Sequence, residues 1–449
     1  MYNIGVDIGG TNIAVGIVDE SFNIISKTSF KTAVPRSEKE ICDDISNNIL
    51  KLVKESSISM DNICSIGIGV PGSANKENGV VEHCANLFFH NWHIVDMMQS
   101  KINKKVYIEN DANAAAYAEY IAGSAKGYKD VVVITLGTGI GGGIIIDGKV
   151  LTGSNYNGAE IGHMVIKYGG EKCSCGRSGC FEQYASTKAL VHQTKQAINE
   201  NTNKNSIMFQ LTDGNLNKVS GKTAFIAAAQ GDASAQKVLD NYFDYLACGI
   251  TNVINIFQPD ILCIGGGISR EGSKLLDPIK ERIEKERYSK HAQKQTKISI
   301  ATLGNDAGII GAAGGGAGQL VGDIVTNIQN GSIQSGEWTF SSWQSYTGAI
   351  LGGAAGGIAT LYAGPIVGGA ASGGATTAIT EIVTWASNPK GYNKSFIQAA
   401  GETVIDTGLG ALSGVVSKVS KSITRKIMNT KGVQSLISKM SGGGKVLQF

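Results

Sequence analysis

The spacing of apolar residues in the first 316 positions predicts strands mixed with helices. In residues 37–55, Ile41, Ile45 and Ile49 recur at helical spacing, and similar patterns predict helices over residues 112–122, 234–257 and 274–286. Short runs rich in Ile and Val predict strands over residues 2–7, 13–18, 24–30, 63–70, 106–108, 131–136, 144–146, 261–264 and 297–301. This order predicts an α/β fold with two sheet-centred lobes.

The pattern changes after residue 316. Residues 317–449 contain 23 glycines and include a run of 43 residues without any charge. Within residues 346–380, glycines such as Gly348, Gly352 and Gly356 stand four apart, a spacing that lets two helices pack backbone to backbone. A proline divides this run into segments at the short end of the roughly 17–25 residues that span a bilayer. We expect a glycine-rich helical extension, closer to a packed hairpin than to two membrane spans.

The composition narrows the class of protein. The 449 residues are 42% apolar and carry a formal net charge of +3. The apolar fraction suits sizeable cores and argues against global disorder, and the small net charge argues against a nucleic-acid partner. The eight cysteines all precede residue 264, and five of them are scattered in apolar contexts, which indicates reduced thiols. Because the first residues show no basic and apolar leader, we expect a cytoplasmic protein.

A first glycine-rich turn stands between two predicted strands and is a candidate phosphate-binding loop. Its residues are Asp7, Ile8, Gly9, Gly10, Thr11 and Asn12. Glycine lets backbone amides approach an anion closely, and an aspartate at this position can hold Mg²⁺ through water. The same composition is also common in ordinary tight hairpins.

A second glycine-rich segment, at residues 137–143, matches the pattern G-x-G-x-x-G. A dinucleotide-binding loop with this pattern must open a helix. This segment instead runs into the strand predicted over residues 144–146, so the sequence argues against NAD. Two glycine-rich loops, each between strands, better suit a nucleoside triphosphate clamped between two lobes.

Two polar residues, Asn110 and Asp111, stand where a predicted strand ends and a helix begins. Asp111 can be the N-cap of that helix, which is a common structural role. The carboxyl end of a strand is also where α/β folds place ligands. An aspartate there can accept the proton of a substrate hydroxyl during phosphoryl transfer.

One histidine and three cysteines lie within 18 residues, and they predict a metal site. The four are His163, Cys173, Cys175 and Cys180. This set suits a tetrahedral zinc site, and four protein ligands leave no open position, so the zinc would be structural. The alternative is chance clustering of reduced thiols. Glu160 and Glu182 flank the segment as natural acceptors for sugar hydroxyls, or else as ordinary surface charge.

A third glycine-rich segment, Gly265, Gly266 and Gly267, follows the strand predicted over residues 261–264. Such a loop can lie flat against an adenine or a ribose. Glycines at a strand end also often serve only to relieve crowding.

Taken together, these motifs resemble the ROK family of sugar kinases and repressors over residues 1 to about 314. The resemblance is carried by DIGGTN, NDANAAA, GTGIGGG, GAEIGH and CSCGRSGCFE. It implies the two-lobed actin/hexokinase-type (ribonuclease H-like) ATPase fold and a homodimer. It places a small lobe at residues 1–115, completed by residues 302–316, and a large lobe at residues 116–301. The extension at residues 317–449 departs from the family.

The resemblance also implies roles for the residues that match these motifs. Asp111 would be the general base. The sugar hydroxyls would be held by Asn110, Asp111, Glu160, His163 and Glu182. The ATP phosphates would be cradled by Gly9, Gly10, Thr11, Asn12, Gly137 and Thr138, with Mg²⁺ near Asp7. The adenosine would be approached by Gly266 and Gly267, and Zn²⁺ would be bound by His163, Cys173, Cys175 and Cys180.

The resemblance is strongest to bacterial glucokinases and implies phosphorylation of glucose to glucose 6-phosphate by ATP. Kinases for N-acetylglucosamine, N-acetylmannosamine, fructose and allose use nearly the same residues, so these sugars stay open. The repressors of the family carry a winged helix-turn-helix before the first loop, and the six residues before Asp7 favour an enzyme. A sugar-sensing protein without catalysis is one alternative. A membrane- or toxin-related protein governed by its extension is another, since that extension loosely resembles regions preceding toxin domains.

Overall fold

A computed structural model describes residues 1–84, 86–200 and 206–329. Within them the strands are β1 (Tyr2–Ile8), β2 (Asn12–Asp19), β3 (Ile24–Lys31), β4 (Ile63–Val70), β5 (Ser73–Asn75), β6 (Val80–Cys84), β7 (Phe89–Trp92), β8 (Lys105–Asn110), β9 (Val131–Leu136), β10 (Ile140–Ile146), β11 (Lys149–Val150), β12 (Ile261–Gly266) and β13 (Lys297–Ile300). The helices are α1 (Glu38–Glu55), α2 (Ile94–Gln99), α3 (Asp111–Ala122), α4 (Glu182–Ala185), α5 (Thr187–Glu200), α6 (Ile207–Leu211), α7 (Thr223–Ala229), α8 (Ala233–Phe257), α9 (Ser273–Glu286) and α10 (Ala307–Gln329).

Two five-stranded sheets share one topology. The first has the order β3-β2-β1-β4-β8, and the second has the order β11-β10-β9-β12-β13. In each sheet the first three strands in this order are antiparallel neighbours and the last three are parallel neighbours. The prediction of an α/β fold built on two sheets is confirmed.

Each sheet is covered by helices whose apolar face matches the sequence period. In α1, Ile41, Ile45 and Ile49 are fully buried in the core of the first sheet. Ser37 caps this helix by accepting a hydrogen bond from the backbone N–H of Glu40, so the helix begins one residue later than the pattern predicts. The long helix α8 supplies much of the core of the second sheet.

A third sheet of three short strands, in the order β5-β6-β7, was not predicted from the sequence. Only some positions in these strands are buried, among them Val81 and Trp92. The strands are three to five residues long and alternate with turns that contain Asn and Gly. The spacing of apolar residues cannot reveal so short an element, because too few apolar positions repeat within it.

Helices α3 and α10 pack closely because small residues line their contacts. A Cβ atom added at Gly311 of α10 would lie 1.7 Å from the carbonyl oxygen of Ala114 in α3. A Cβ at Gly5 in β1 would lie 1.9 Å from the carbonyl oxygen of Ile309, and one at Gly67 in β4 would meet the backbone of α10 just as closely. Part of the high glycine content therefore serves backbone-to-backbone packing.

Residues Met1–Ala317 form one compact unit. The predicted lobe boundary at residue 115 falls inside α3, which continues to Ala122. Among the helices of residues 1–84, 86–200 and 206–329, none combines the length and apolarity needed to cross a membrane. The glycine-rich run at residues 346–380 and the rest of the extension after residue 329 lie outside the described residues.

Candidate active site

The first predicted phosphate loop is a tight turn between β1 and β2. The backbone N–H of Gly9 donates to the carbonyl oxygen of Asn12 at 3.0 Å, and the hydroxyl of Thr32 donates to the carbonyl oxygen of Gly9 at 2.6 Å. Gly10 and Thr11 are exposed at the tip. The turn is anchored at its base and leaves its tip open to a ligand.

Asp7 lies at the carboxyl end of β1 and carries a partly buried carboxyl group. Burial raises its pKa to about 6. The carboxyl group fits against Gly308 of α10, where an added Cβ would lie 2.3 Å from Oδ2 of Asp7. A carboxylate whose charge is poorly solvated is well suited to a cation, so the site fits the Mg²⁺ predicted beside Asp7.

Asp111 is the first residue of α3, and Asn110 is its N-cap. The side-chain oxygen of Asn110 accepts hydrogen bonds from the backbone N–H groups of Ala112 and Asn113, at 3.0 and 3.1 Å. The interpretation of Asp111 as the N-cap is therefore wrong, because the capping oxygen comes from the preceding residue. This arrangement frees the Asp111 carboxyl group to meet a ligand.

The pKa of Asp111 is raised to about 6, first by burial and then by the charges of Asp7 and Glu160. These effects outweigh the hydrogen bond from the backbone N–H of Ala112, at 2.9 Å, which lowers the pKa. Three predicted site residues thus lie close enough for their charges to interact. A carboxyl group with a pKa near 6 is mostly ionised at neutral pH and can still take up a proton.

The second predicted phosphate loop consists of Gly137, Thr138 and Gly139, between β9 and β10. As the sequence predicts, the chain leaves this turn in a strand rather than a helix. The prediction that the loop extends to residue 143 is wrong, because residues 141–143 pair with β9 inside β10. A Cβ at Gly143 would lie 2.3 Å from the Cβ of Ala116, so glycine is needed there to let α3 pack on the strand.

Glu182 holds this second loop in place. Its Oε2 accepts a hydrogen bond from the backbone N–H of Ile140 at 3.0 Å. A Cβ atom added at Gly139 would lie only 2.1 Å from the same oxygen, so glycine is needed there to leave room for the Glu182 side chain. The sequence predicted Glu182 as a sugar ligand, and the contact to Ile140 is a further role that only the fold reveals.

The predicted zinc ligands come together. The ligand atoms of His163, Cys173, Cys175 and Cys180 all lie within 4.8 Å of one another. Sγ of Cys173 is 3.5 Å from Nδ1 of His163, and the sulfur atoms of Cys175 and Cys180 are 3.6 Å apart. A tetrahedral zinc site with these atom types has ligand-to-ligand edges of roughly 3.5–3.8 Å. The four residues therefore fit the ion.

Neighbouring residues support this cluster. The guanidinium of Arg177 donates to the carbonyl oxygen of His163 at 3.3 Å, and the amide of Gln183 donates to the sulfur of Cys173 at 3.6 Å. Gly176 and Gly179 have φ angles of 89° and 87°, which allow the sharp turns between the cysteines. Gln183 directly follows Glu182, so the cluster adjoins the residue that holds the second loop.

The two glycines of the predicted adenosine loop have different surroundings: one packs against the backbone, and the other has free space beside it. Gly266 has a φ of 89°, and a Cβ there would lie 2.2 Å from the carbonyl oxygen of Leu136. A Cβ at Gly267 would meet no atom of the described residues within 4 Å. Both glycines are exposed at the carboxyl end of β12. Gly267 is the one with room for a ligand beside it.

Sequence reasoning missed Glu109, the last buried residue before Asn110. Its Oε1 accepts hydrogen bonds from the backbone N–H of Asn110, at 2.9 Å, and from the side-chain amide of Asn113, at 3.2 Å. Its other oxygen pairs with the ammonium of Lys76. A charged residue at the end of an apolar strand, next to Asn110 and Asp111, is the sequence signal that could have revealed it.

The chain matches the ROK family over residues 3–314. It is 38% identical to a glucokinase of Thermotoga maritima, covering 69% of this chain and 95% of that protein. It is 29% identical to a xylose repressor of Caldicellulosiruptor bescii, covering 69% of this chain and 76% of that protein. Among solved structures, a ROK family glucokinase from Streptomyces griseus in complex with glucose and AMPPNP is 35% identical, with a TM-score of 0.61, covering 70% of this chain and 99% of that one.

Proposed function

The chain belongs to the ROK family and has its actin/hexokinase-type fold, and from that premise we propose that it is an ATP-dependent hexose kinase that converts glucose to glucose 6-phosphate. The observation that carries this proposal is the placement of Asp111. Asp111 is the first residue of α3. Its carboxyl group lies close enough to Asp7 and Glu160 for their charges to interact, and its pKa is about 6. The Streptomyces griseus relative, solved with glucose and AMPPNP, supports the same pair of substrates.

Asp111 is the general base in this proposal. A sugar hydroxyl donates its proton to the Asp111 carboxylate while its oxygen attacks the γ-phosphorus of ATP, and the bond from that phosphorus to the bridging oxygen of ADP breaks. Phosphoryl transfer depends mainly on positioning and on neutralising charge, so one base and two anchored loops are adequate. Asn110 keeps the base at the start of the helix by capping it.

The two glycine turns bind the phosphates of ATP in this proposal. The N–H groups of Gly9 and Gly137 bond within their own turns and fix their shape. Backbone N–H groups at the exposed tips, at Gly10 and Thr11 in the first turn and at Thr138 in the second, would donate to the phosphate oxygens. Asp7 would hold Mg²⁺, which neutralises phosphate charge when bound. Gly267 offers space beside the adenosine, and Gly266 fixes the strand end next to it.

The sugar is bound by Asn110, Glu160, His163 and Glu182 together with Asp111. His163 can serve both the sugar and a metal, because Nδ1 faces the cysteines and Nε2 is a separate donor. His163 and the three cysteines would hold Zn²⁺, which with four protein ligands stabilises the segment and supplies no catalytic position. We further propose a homodimer, which sedimentation would test.

The experiment that tests the function is ADP release from ATP and Mg²⁺ by the purified full chain. The panel contains glucose, N-acetylglucosamine, N-acetylmannosamine, fructose, mannose and allose. We expect turnover with glucose as the preferred sugar. Turnover with another favourite would keep the kinase and correct the substrate. Saturable sugar binding by folded protein without turnover on any sugar would instead favour a sugar-responsive regulator, the activity class of the Caldicellulosiruptor bescii relative.

A further inference from the structure

Glu119 is a fully buried acid of α3 that takes no part in the chemistry proposed above. Its Oε2 accepts hydrogen bonds from the backbone N–H of Ser124, at 2.8 Å, and from the hydroxyl of Ser124, at 2.9 Å. Its Oε1 accepts from the backbone N–H of Leu303 at 2.8 Å, and the hydroxyl of Thr302 reaches Oε2 at 3.3 Å. The carboxylate of Glu119 thus joins its own end of α3 to Leu303, which lies 184 residues away from Glu119 in the sequence.

These two segments are the connections between the five-stranded sheets. The chain leaves the first sheet at β8, passes through α3 and Ser124, and enters the second sheet at β9. It leaves the second sheet at β13, passes Thr302 and Leu303, and enters α10. The start of α10 packs on the first sheet, against Gly5 and Gly67. The carboxylate of Glu119 therefore ties the outgoing connection to the returning one.

Each connection also leads to one of the two interacting acids. The outgoing connection is α3 itself, which begins with Asp111. The returning connection leads to Gly308, whose backbone lies against the carboxyl group of Asp7. A fixed distance between the two connections therefore helps to fix Asp111 relative to Asp7.

We propose that Glu119 is a positioning residue that clamps the two connections between the sheets and so holds Asp111 and Asp7 in the geometry needed for phosphoryl transfer. This role rests on the kinase function proposed above. Four donors from the two connections converge on the two oxygens of the carboxylate. Glutamine cannot replace this carboxylate, because its NH₂ group cannot accept a hydrogen bond and would face a donor in place of one oxygen.

The test compares Glu119→Gln with Asp306→Asn as a matched control. Asp306 belongs to the returning connection itself, and its exposed carboxyl group forms an ion pair with Lys27 at 2.6 Å. Both variants replace a carboxylate by an amide, but only the first removes the clamp. We measure hydrogen exchange at the Ser124 and Leu303 amides, the binding constants of glucose and of AMPPNP separately, and kcat.

In Glu119→Gln we expect faster exchange at the Ser124 or Leu303 amide by about tenfold or more, because a hydrogen bond to a charged group is lost. We expect kcat to fall by about tenfold or more while the separate binding constants stay unchanged, since displacement of a reacting group by about 1 Å can cost about a hundredfold. A residue that only stabilised the fold would leave kcat of the folded fraction unchanged. Asp306→Asn should match the wild type throughout.

Thr302→Val is a milder variant that keeps the carboxylate and serves if Glu119→Gln does not fold. It should shift exchange at the Leu303 amide and kcat in the same direction by a smaller factor. Wild-type kcat in folded Glu119→Gln, or wild-type exchange at both amides, would overturn the proposal. If the wild type phosphorylates no sugar, the kinase proposal fails, and the exchange rates still decide whether Glu119 clamps the two connections.

Discussion

Asp7 and Asp111 carry partly buried carboxyl groups whose charges repel each other at the carboxyl ends of parallel strands in one sheet. Asp7 pairs with Gly69 in β4, and Gly69 pairs in turn with Glu109 in β8. A Cβ at Gly69 would lie only 3.8 Å from the Cα of Asp111. The start of α3 thus lies next to the strand position between the two acids, which brings the proposed base beside the proposed cation ligand.

Replacement of Asp111 separates catalysis from stability. We expect Asp111→Asn to lower kcat by about 10²–10⁴-fold, because an amide cannot accept the hydroxyl proton. The same change should raise the free energy of unfolding by on the order of 1–2 kcal/mol, since it removes a carboxylate that burial and Asp7 destabilise. Steady-state kinetics and urea unfolding measure both. Asp306→Asn is the matched control, because its exposed carboxyl contacts Lys27. Near-wild-type turnover in Asp111→Asn would remove it as the base.

The pH dependence of activity should report the same group. Asp111 must be ionised to accept a proton, and its pKa in the free protein is about 6. We therefore expect kcat/KM for glucose to be high at neutral pH and to fall as the pH drops through about 6. The fall in kcat should lie at lower pH, because bound Mg²⁺ would favour the ionised form. A profile that is flat down to pH 5 would contradict the assignment.

The contribution of Asp7 and Asp111 to stability should change with pH in the direction opposite to activity, and should decrease as the pH rises. Folding raises the pKa of both Asp7 and Asp111 to about 6, above the ordinary aspartate value of 3.8. The folded protein therefore binds these protons more tightly, and the stability that they contribute is present below about pH 4 and lost as the pH rises through 6. In Asp111→Asn, the difference in unfolding free energy from the wild type should shrink as the pH falls from 7 to 5. A constant difference across this range would contradict the shifted pKa.

Removal of the proposed zinc should unfold part of the protein. We expect elemental analysis to find one zinc per chain, and Cys175→Ala to lose it and to lower Tm by about 10 °C or more, because metal binding is coupled to folding. Cys248→Ala is the matched control, since Cys248 lies in α8 outside the cluster. It should keep its zinc. A wild-type protein that binds no zinc when folded in its presence would disprove the site.

Two glycines of α10 should respond oppositely to alanine. At Gly308 a Cβ would lie 2.3 Å from Oδ2 of Asp7, so Gly308→Ala should displace that carboxyl group and lower both kcat and stability. At Gly315 a Cβ would meet no atom of the described residues within 4 Å. Gly315→Ala should leave kcat unchanged and stabilise the helix by about 0.5–1 kcal/mol. Equal changes in kcat and in stability at the two positions would show that the contact between Gly308 and Asp7 does not cause the loss of activity.

The sequence by itself determined the features that short stretches of chain encode. Glycine turns between apolar runs revealed both loops, and the spacing of Cys173, Cys175 and Cys180 revealed the cluster with His163. The strands over residues 63–70 and 131–136 were predicted to the residue. These features depend on neighbours along the chain, so their pattern is visible without the fold. The family motifs are likewise short stretches of sequence that can be identified without the fold.

Only the tertiary structure decided what depends on contacts between distant segments. Glu182 accepts a hydrogen bond from the backbone N–H of Ile140, and Glu119 joins Ser124 to Leu303, although nothing in the local sequence indicates either contact. For the same reason, only the fold shows that Gly143 serves the packing of α3 on β10 rather than the turn before that strand. A glycine in a turn and a glycine under a helix look alike in sequence. Their roles differ because packing, which acts through space, decides which atoms approach them.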